Sequence, residues 1–267
     1  MQLYRRRVSL GHDSRNAAFS LRMLRPRRKS GALVCAGTPR GPVSPDAGEP
    51  VPARGGERPA VTDRAQARGA SPIDDPPRAS LVEALRRMGR GGAGARRLAI
   101  DLGCGAGQDS LALLRRGWTV VAIDASARAG EAVRAAVEPR HAARFRFVRA
   151  RFEAAALPAG AALVNASFSL PFCAREHFPR VWAGIEAALA PDGWFAGHFF
   201  GMRDEWVREG ACLGWTAEEI ARLFARFEVV WRREEVERAP SIHGPVKRWH
   251  IVAVVARKRA PGGGRFG

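Results

Sequence analysis

The chain has 267 residues, of which 46% are hydrophobic, so it is long and apolar enough for one large domain or two small ones. Its formal net charge of +18 would suit a nucleic-acid partner, but a general enrichment in Arg, Ala, Gly and Pro explains the excess more simply. No apolar run approaches the roughly 20 residues that a membrane-spanning helix needs. The cysteines have neither paired nor metal-type spacing, so we expect a cytoplasmic, reduced protein without a membrane span or a metal site (Cys35, Cys104, Cys173 and Cys212).

Residues 1–78 lack any sustained hydrophobic periodicity and are rich in Pro, Gly, Ala and Arg, with 15 basic and 7 acidic residues. Such a segment buries too little apolar surface to offset the entropy of ordering it. We therefore predict a disordered, basic N-terminal extension. Its Arg- and Ser-containing beginning also resembles an organelle transit peptide, and an over-extended start is the other interpretation.

An amphipathic helix is predicted next, over "SLVEALRRM" from Ser80, and "GRGGAG" ends it. From Arg97 onward, apolar strands alternate with helical segments, which indicates a mostly parallel sheet covered on both faces. Ser126 is placed to cap the second of these helices, and Thr216 with Glu219 fits a capping box. The predicted strands are LAIDL, WTVVAID, FRFVRA, ALVNASF and, after a turn at PDG, WFAGHFF, followed by FEVVWRREEVE and KRWHIVAVVARK.

A glycine-rich turn joins the first strand to the helix that starts at Gln108. Gly103, Gly105 and Gly107 follow a GxGxG spacing. Glycine permits unusual backbone angles and lets a ligand approach the backbone closely, while the helix N-terminus offers unpaired N–H groups. Asp124 ends the second strand, where a carboxylate can accept both hydroxyls of a ribose. The pattern predicts a nucleoside-containing cofactor.

The spacing of the turn decides against a dinucleotide. In the GxGxxG fingerprint the third glycine lies beside a pyrophosphate, but Gln108 occupies that position here. Asp101, just before the first glycine, would repel a pyrophosphate and attract a cation such as an α-amino group. A ligand with a ribose, no phosphates and a positive end is S-adenosylmethionine rather than NAD.

"DLGCGAGQDSLALLRRGWTVVAIDAS" resembles the first two motifs of the class I S-adenosylmethionine-dependent methyltransferases. "LVNASFSLPF" is similar to the motif that ends their fourth strand, and "IEAALAPDGWFAG" to their helix, turn and fifth strand. The small single-domain bacterial enzymes related to the tellurite-resistance and thiopurine types look most similar. The resemblance implies an α/β, Rossmann-like, doubly wound sheet of seven strands, mostly parallel with an antiparallel last strand. It places a methyltransferase domain over residues 79–258, followed by a flexible tail over 259–267.

The resemblance also implies roles for individual residues. Asn165, at the end of the fourth strand, is expected close to the methyl group that is transferred. Arg151 stands where the family often has an acid for the adenine amine, and Glu153 is a candidate replacement. The residues expected to hold the methionine part of the cofactor are Asp101, Gly103, Cys104, Gly105 and Gly107. Those expected at the ribose and adenine are Asp124, Ala125 and Phe152.

The expected reaction is a single in-line transfer of a methyl group to an O, N or S atom. Only "GMRDEWVREGACLGWTAEE" separates the fifth strand from the last pair, too little for a recognition domain, so a small-molecule acceptor is favoured. The pattern identifies no catalytic residue beyond the weak candidates Asn165 and His198. Two alternatives stay open: an RNA or protein substrate held by the basic extension, and a cofactor-binding protein without catalysis. The acceptor atom and the oligomeric state are not readable from the sequence.

Overall fold

The computed structural model describes residues 76–89, 97–241 and 244–260. Most of the predicted N-terminal extension and residues 261–267 of the predicted tail therefore lie outside the described residues. Residues 76–78, which the prediction assigns to the extension, contact the domain: the backbone N–H of Arg78 donates to Asp109 at 2.8 Å.

Seven strands and six α-helices form the described part of the chain, together with three short 3-10 turns. The strands are β1 (Leu98–Leu102), β2 (Thr119–Asp124), β3 (Phe145–Arg149), β4 (Ala161–Ala166), β5 (Leu189–Phe200), β6 (Phe227–Pro240) and β7 (Val246–Lys258). The helices are α1 (Ala79–Met88), α2 (Gln108–Arg115), α3 (Ala127–Ala136), α4 (Phe178–Ala188), α5 (Glu205–Arg208) and α6 (Ala217–Leu223). The 3-10 turns are Pro139–Arg144, Phe152–Ala154 and Leu170–Phe172.

The strands form one sheet in the order β3-β2-β1-β4-β5-β7-β6. The pairs from β3 through to β5 are parallel, and β7 runs antiparallel to both β5 and β6. This confirms the predicted Rossmann-like sheet with an antiparallel last strand. The strand order reverses between β1 and β4, and a crevice opens at such a switch point beyond the carboxyl ends of the strands. Ligands of doubly wound folds bind in that crevice.

Local sequence signals set several boundaries. The Ser126 hydroxyl accepts a hydrogen bond from Ala129 N and caps α3, and the predicted capping box of Thr216 and Glu219 is present at α6. The PDG segment differs from the prediction, because it lies inside β5 rather than before it. Asp192 has φ 62°, and the pairing with β4 shifts register there, so the strand continues through an irregularity.

Helices cover both faces of the sheet. On one face α4 and α6 bury an aromatic-rich layer against β5, with Trp182 packed edge-on to Phe195 and Phe224. On the other face a smaller apolar layer is buried, where α1 packs against β5 and β7 and α2 packs against β1 and β2. These two layers fix the central strands, and with them the carboxyl edge where β1, β2 and β4 end.

Candidate functional site

The glycine turn follows β1 at the switch point, and its three glycines have different roles. Gly103, Gly105 and Gly107 all have positive φ, between 52° and 90°. A Cβ on Gly103 would lie 2.3 Å from Ser169 Cβ, and one on Gly107 would lie 2.2 Å from a Val133 methyl group. A Cβ on Gly105 would meet no atom of the described residues within 4 Å. Two glycines therefore permit close packing, while Gly105 leaves open space in which a ligand can approach the backbone.

Asp124 connects the end of β2 to this turn. Its carboxylate is 5% exposed, and one oxygen accepts from Gly105 N while the other accepts from Ser126 N, both at 2.9 Å. An ionised carboxylate has about four acceptor positions, so each oxygen can still accept a hydroxyl group. Open space at Gly105 beside a carboxylate that can accept a diol fits the ribose of the predicted cofactor.

Two buried carboxylates lie behind the turn. The Asn165 amide donates to Asp101 at 2.8 Å and to Asp109 at 3.0 Å, and the Ser110 hydroxyl donates to Asp101 at 2.5 Å. Burial, together with the charge of Asp109, raises the pKa of Asp101 to about 7. Each Asp101 oxygen accepts one hydrogen bond, which leaves it capacity for a cationic ligand group. The predicted cation-binding acid is thus tied to the first turn of α2.

Asn165 is fully buried at the carboxyl end of β4. Its amide nitrogen donates a hydrogen bond to each of the two carboxylates, and its oxygen accepts one from the Ser167 hydroxyl at 3.2 Å. The side chain is therefore a positioning group for Asp101 and Asp109 in this arrangement. Its predicted place beside the transferred methyl group stays a prediction.

The residues predicted at the adenine lie at the ends of β2 and β3. Ala125 is exposed, and the Phe152 ring comes within 3.5 Å of where a Gly103 Cβ would lie. Arg151 pairs with Glu153 at 2.7 Å, so the acid considered as a replacement is engaged by its neighbour. Cys104 is half-buried, and burial raises its pKa well above the usual range, which suits a packing thiol rather than a nucleophile.

His198, the other catalytic candidate, lies on β5 under the loop that follows β4. Its ring stacks on Phe168 with centroids 4.0 Å apart and planes 13° apart, and its Nδ1 is buried without a hydrogen-bond partner in the described part of the chain. Burial, aided by the charge of Arg78, lowers its pKa to about 3. The imidazole is therefore neutral at physiological pH and a poor proton acceptor.

Sequence reasoning missed four residues of this region. Asp109 and Ser110 lie in the first turn of α2, where an acid and a serine are a usual N-terminal signal. Ser169 donates to the Leu102 carbonyl at 2.6 Å and packs on Gly103, and Arg78 lies over Phe168. The last two contacts bring distant segments together and leave no local signal.

Within residues 76–89, 97–241 and 244–260, no group of three or more His, Cys, Asp or Glu side chains is arranged to hold a metal ion. No helix in this part of the chain is long and apolar enough to cross a membrane.

The model of a methyltransferase-domain family matches residues 99–193, from β1 into β5. The matched segment contains the glycine turn, Asp124, Asn165 and the loop after β4. Among curated protein sequences, none matches the chain.

Solved structures share the fold at low identity. The crystal structure of TehB from Haemophilus influenzae matches with a TM-score of 0.57 and 15% identity over 68% of this chain and 62% of TehB, less than two-thirds of that protein. A second match is the N-methyltransferase NodS from Bradyrhizobium japonicum, solved with S-adenosyl-L-homocysteine. Its TM-score is 0.55, with 17% sequence identity over 74% of this chain and 96% of NodS. A third match is the 1,6-didemethyltoxoflavin-N1-methyltransferase of Burkholderia thailandensis, solved with 1,6-didemethyltoxoflavin and S-adenosylhomocysteine. Its TM-score is 0.50, with 23% sequence identity over 68% of this chain and 77% of that protein.

Proposed function

We propose that this chain is a class I S-adenosylmethionine-dependent methyltransferase and that it transfers a methyl group to a small-molecule acceptor. The observation that carries the proposal is the structure of the part of the crevice beyond β4 and β5, where the methyl acceptor would bind and which we call the acceptor side. Between β5 and β6 the chain has only α5, α6 and their connections, with no further domain among the described residues. A short cover of this kind suits a compact ligand.

Aromatic side chains line this side. Phe168 and Phe172 come from the loop after β4, and each contacts Phe200 at the end of β5, with ring centroids 6.4 and 6.1 Å apart. Trp206 of α5 lies 6.1 Å from Phe172, which is 36% exposed. Small-molecule sites are concave and mostly apolar, with few polar groups. An acceptor with a substantial apolar body fits this wall.

We expect the cofactor to bind in the other half of the crevice, at the residues proposed from the sequence. S-adenosylmethionine supplies a methyl group on a sulfonium centre when it is bound. Asp124 would accept the ribose hydroxyls, Ala125 and Phe152 would flank the adenine, and Asp101 would face the α-amino group. The backbone of the turn from Gly103 to Gly107, including Cys104, would hold the methionine part.

The contribution of the protein to such a transfer is alignment and the exclusion of water. Asn165 fixes the two carboxylates behind the turn, and the aromatic wall removes water from the acceptor. His198 is neutral and a weak base, so we assign no general base among the described residues. The arrangement favours an acceptor atom that attacks without prior proton removal by the enzyme.

Two of the structural neighbours support the small-molecule assignment through their own names. One is an N1-methyltransferase of 1,6-didemethyltoxoflavin, solved with that compound bound, and NodS is described as an N-methyltransferase. The first has the fold of this chain around a compact ligand.

The test is a screen of small acceptors that detects release of S-adenosylhomocysteine, with G105A as the inactive control because its Cβ enters the open space at the turn. Turnover that is unchanged after removal of residues 1–75 supports the small-molecule assignment. Turnover only on RNA or protein, and only with that segment present, contradicts it. Cofactor binding without turnover of any acceptor indicates a binding protein without catalysis.

A further inference from the structure

Arg78 carries a positive charge that pairs with no carboxylate among the residues that the structure describes. It occupies the N-cap position of α1, where Ser, Thr, Asp or Asn is preferred, and its side chain makes no cap hydrogen bond. Within the described part of the chain, its guanidinium takes part in no ion pair or hydrogen bond, and the residue is half-buried. Among the described residues the guanidinium lies over the ring of Phe168 and beside no carboxylate, so its charge stays available to a ligand.

The backbone of this segment is fixed. Arg78 N donates to Asp109 Oδ1 at 2.8 Å, and the Gln108 amide donates to the Pro76 carbonyl. Both partners belong to the first turn of α2, beside the glycine turn. The guanidinium is thus presented from an anchored backbone, which reduces the entropy that is lost when it binds a ligand.

The side chain reaches the acceptor half of the crevice. Its guanidinium carbon lies 5.5 Å from the centroid of the Phe168 ring, and the same ring stacks on His198. Phe168 follows β4 and His198 belongs to β5, whereas the proposed ribose site is at β2. The cation is therefore on the side of the aromatic wall.

Two further features of this place indicate a ligand. Phe168 has φ 54°, an uncommon conformation for a bulky residue, and such strain is concentrated at binding and catalytic sites. His198 is 4% exposed, and its Nδ1 has no hydrogen-bond partner among the described residues. An unpaired buried polar atom costs free energy, which a bound polar group can recover.

We propose that the methyl acceptor carries an oxyanion, such as a carboxylate, and that Arg78 binds it. The inference rests on the proposed function and narrows its substrate class to acids with an apolar body. A guanidinium binds a carboxylate with charge-assisted, often bidentate hydrogen bonds, which a lysine reproduces poorly. The flanking aromatic wall would hold the rest of the molecule.

The experiment uses the full chain saturated with S-adenosylhomocysteine and measures binding by calorimetry. The probes are a panel of aromatic and aliphatic carboxylic acids and their matched amides, among them 4-hydroxybenzoate and 4-hydroxybenzamide. The variants are R78M, R78K and R208M, the last removing an exposed arginine of α5. We expect the best acid to bind at least about tenfold more tightly than its amide, R78M to remove that preference, R78K to keep part of it, and R208M to leave it unchanged. The preference should also weaken in high salt.

Three outcomes would overturn the proposal: no acid in the panel binds, R78M keeps the preference of the unmodified protein, or R78M weakens S-adenosylhomocysteine binding by as much as it weakens acid binding. The last outcome would place Arg78 at the carboxylate of the cofactor. Because none of these measurements uses turnover, they are independent of the acceptor screen. An acid preference that depends on Arg78 together with failure of every acceptor contradicts the proposed function and not the anion site.

Discussion

The carboxylate of Asp124 accepts a hydrogen bond from the backbone N–H of Gly105 at 2.9 Å, so the last residue of β2 holds the turn that follows β1. Asp124 is buried by this arrangement, yet it faces the one glycine of the turn that has open space beside it. A single carboxylate therefore shapes the cradle and remains able to accept a ligand hydroxyl.

D124N is expected to weaken S-adenosylhomocysteine binding by at least about tenfold. An amide has only one oxygen, so either Gly105 N or Ser126 N would face an NH2 group instead of an acceptor. Calorimetry measures the affinity. D192N is the matched control, because Asp192 is exposed and its one ion pair among the described residues is a surface pair with Arg257. Equal affinity of both variants would show that Asp124 does not hold the ribose.

The three glycines should respond differently to alanine. G105A is expected to fold, with a cost of about 1–2 kcal/mol for the left-handed backbone, and to lose cofactor binding because its Cβ enters the open space. G160A is the matched control, because Gly160 also has positive φ and open surroundings but lies away from the crevice. Urea unfolding gives the stability of each, and calorimetry the affinity. Tight binding by G105A would contradict the proposed cradle.

G103A and G107A test packing. Their added Cβ atoms would lie 2.3 Å from Ser169 Cβ and 2.2 Å from a Val133 methyl group, so both should be less stable than G105A and G160A. Equal stability of all four variants would mean that the turn moves away from Ser169 and Val133 without cost.

Asp101 is expected to make cofactor affinity and stability depend on pH in opposite directions. Its folded pKa of about 7 lies above the value of about 3.9 for an unfolded chain, so the folded state binds more protons between these pH values. The contribution of Asp101 to the free energy of unfolding is therefore most favourable below about pH 4 and falls as the pH rises through 7. A ligand ammonium favours the carboxylate, so affinity for S-adenosylhomocysteine should rise over the same interval.

D101N is expected to flatten both profiles, because its side chain cannot ionise. The measurements are urea unfolding and calorimetry at pH 5.5 and pH 8. D192N again serves as the control for the loss of a surface carboxylate. A D101N variant that keeps the pH dependence of affinity would assign that dependence to another group.

The parts of the fold that depend on neighbouring residues were readable from the sequence. The path from β1 through the glycine turn and α2 to β2 is one contiguous segment, and Ser126 caps α3 through a residue three positions away. The glycine spacing predicts that ligand approach requires Gly103, but the contact that excludes a side chain there is Ser169, from the loop after β4. That reason exists only once β1 and β4 are neighbours.

Contacts between distant segments were the ones that the sequence did not reveal. The sequence predicts Arg78 in a disordered extension because its neighbours in the chain are proline-rich and polar, whereas its anchor Asp109 lies on α2. His198 was a candidate base by residue type alone, whereas burial under Phe168 decides its protonation. Sequence patterns indicate which chemistry is available, and packing determines the state of each group.

Lys247 and Asp204 form a buried ion pair at the acceptor end of the sheet, with 2.5 Å between Nζ and Oδ1. The ammonium also lies 4.0 Å from the ring centroid of Trp206 and 3.8 Å from that of Trp249, so it makes cation–π contacts with both rings. Asp204 caps α5 by accepting from Trp206 N at 3.0 Å. The pair thus joins β7 to the segment that bears the aromatic wall.

K247M should destabilise the protein by about 3–5 kcal/mol, because it leaves the Asp204 carboxylate buried without its cation. R248M removes the neighbouring, exposed charge on β7 and should change the free energy of unfolding by less than about 0.5 kcal/mol. Urea unfolding at pH 7 compares the two. Because Trp206 loses its cation as well, intrinsic fluorescence of folded K247M should differ from that of R248M. Equal stability of the two variants would show that Asp204 reaches water or another partner when Lys247 is removed.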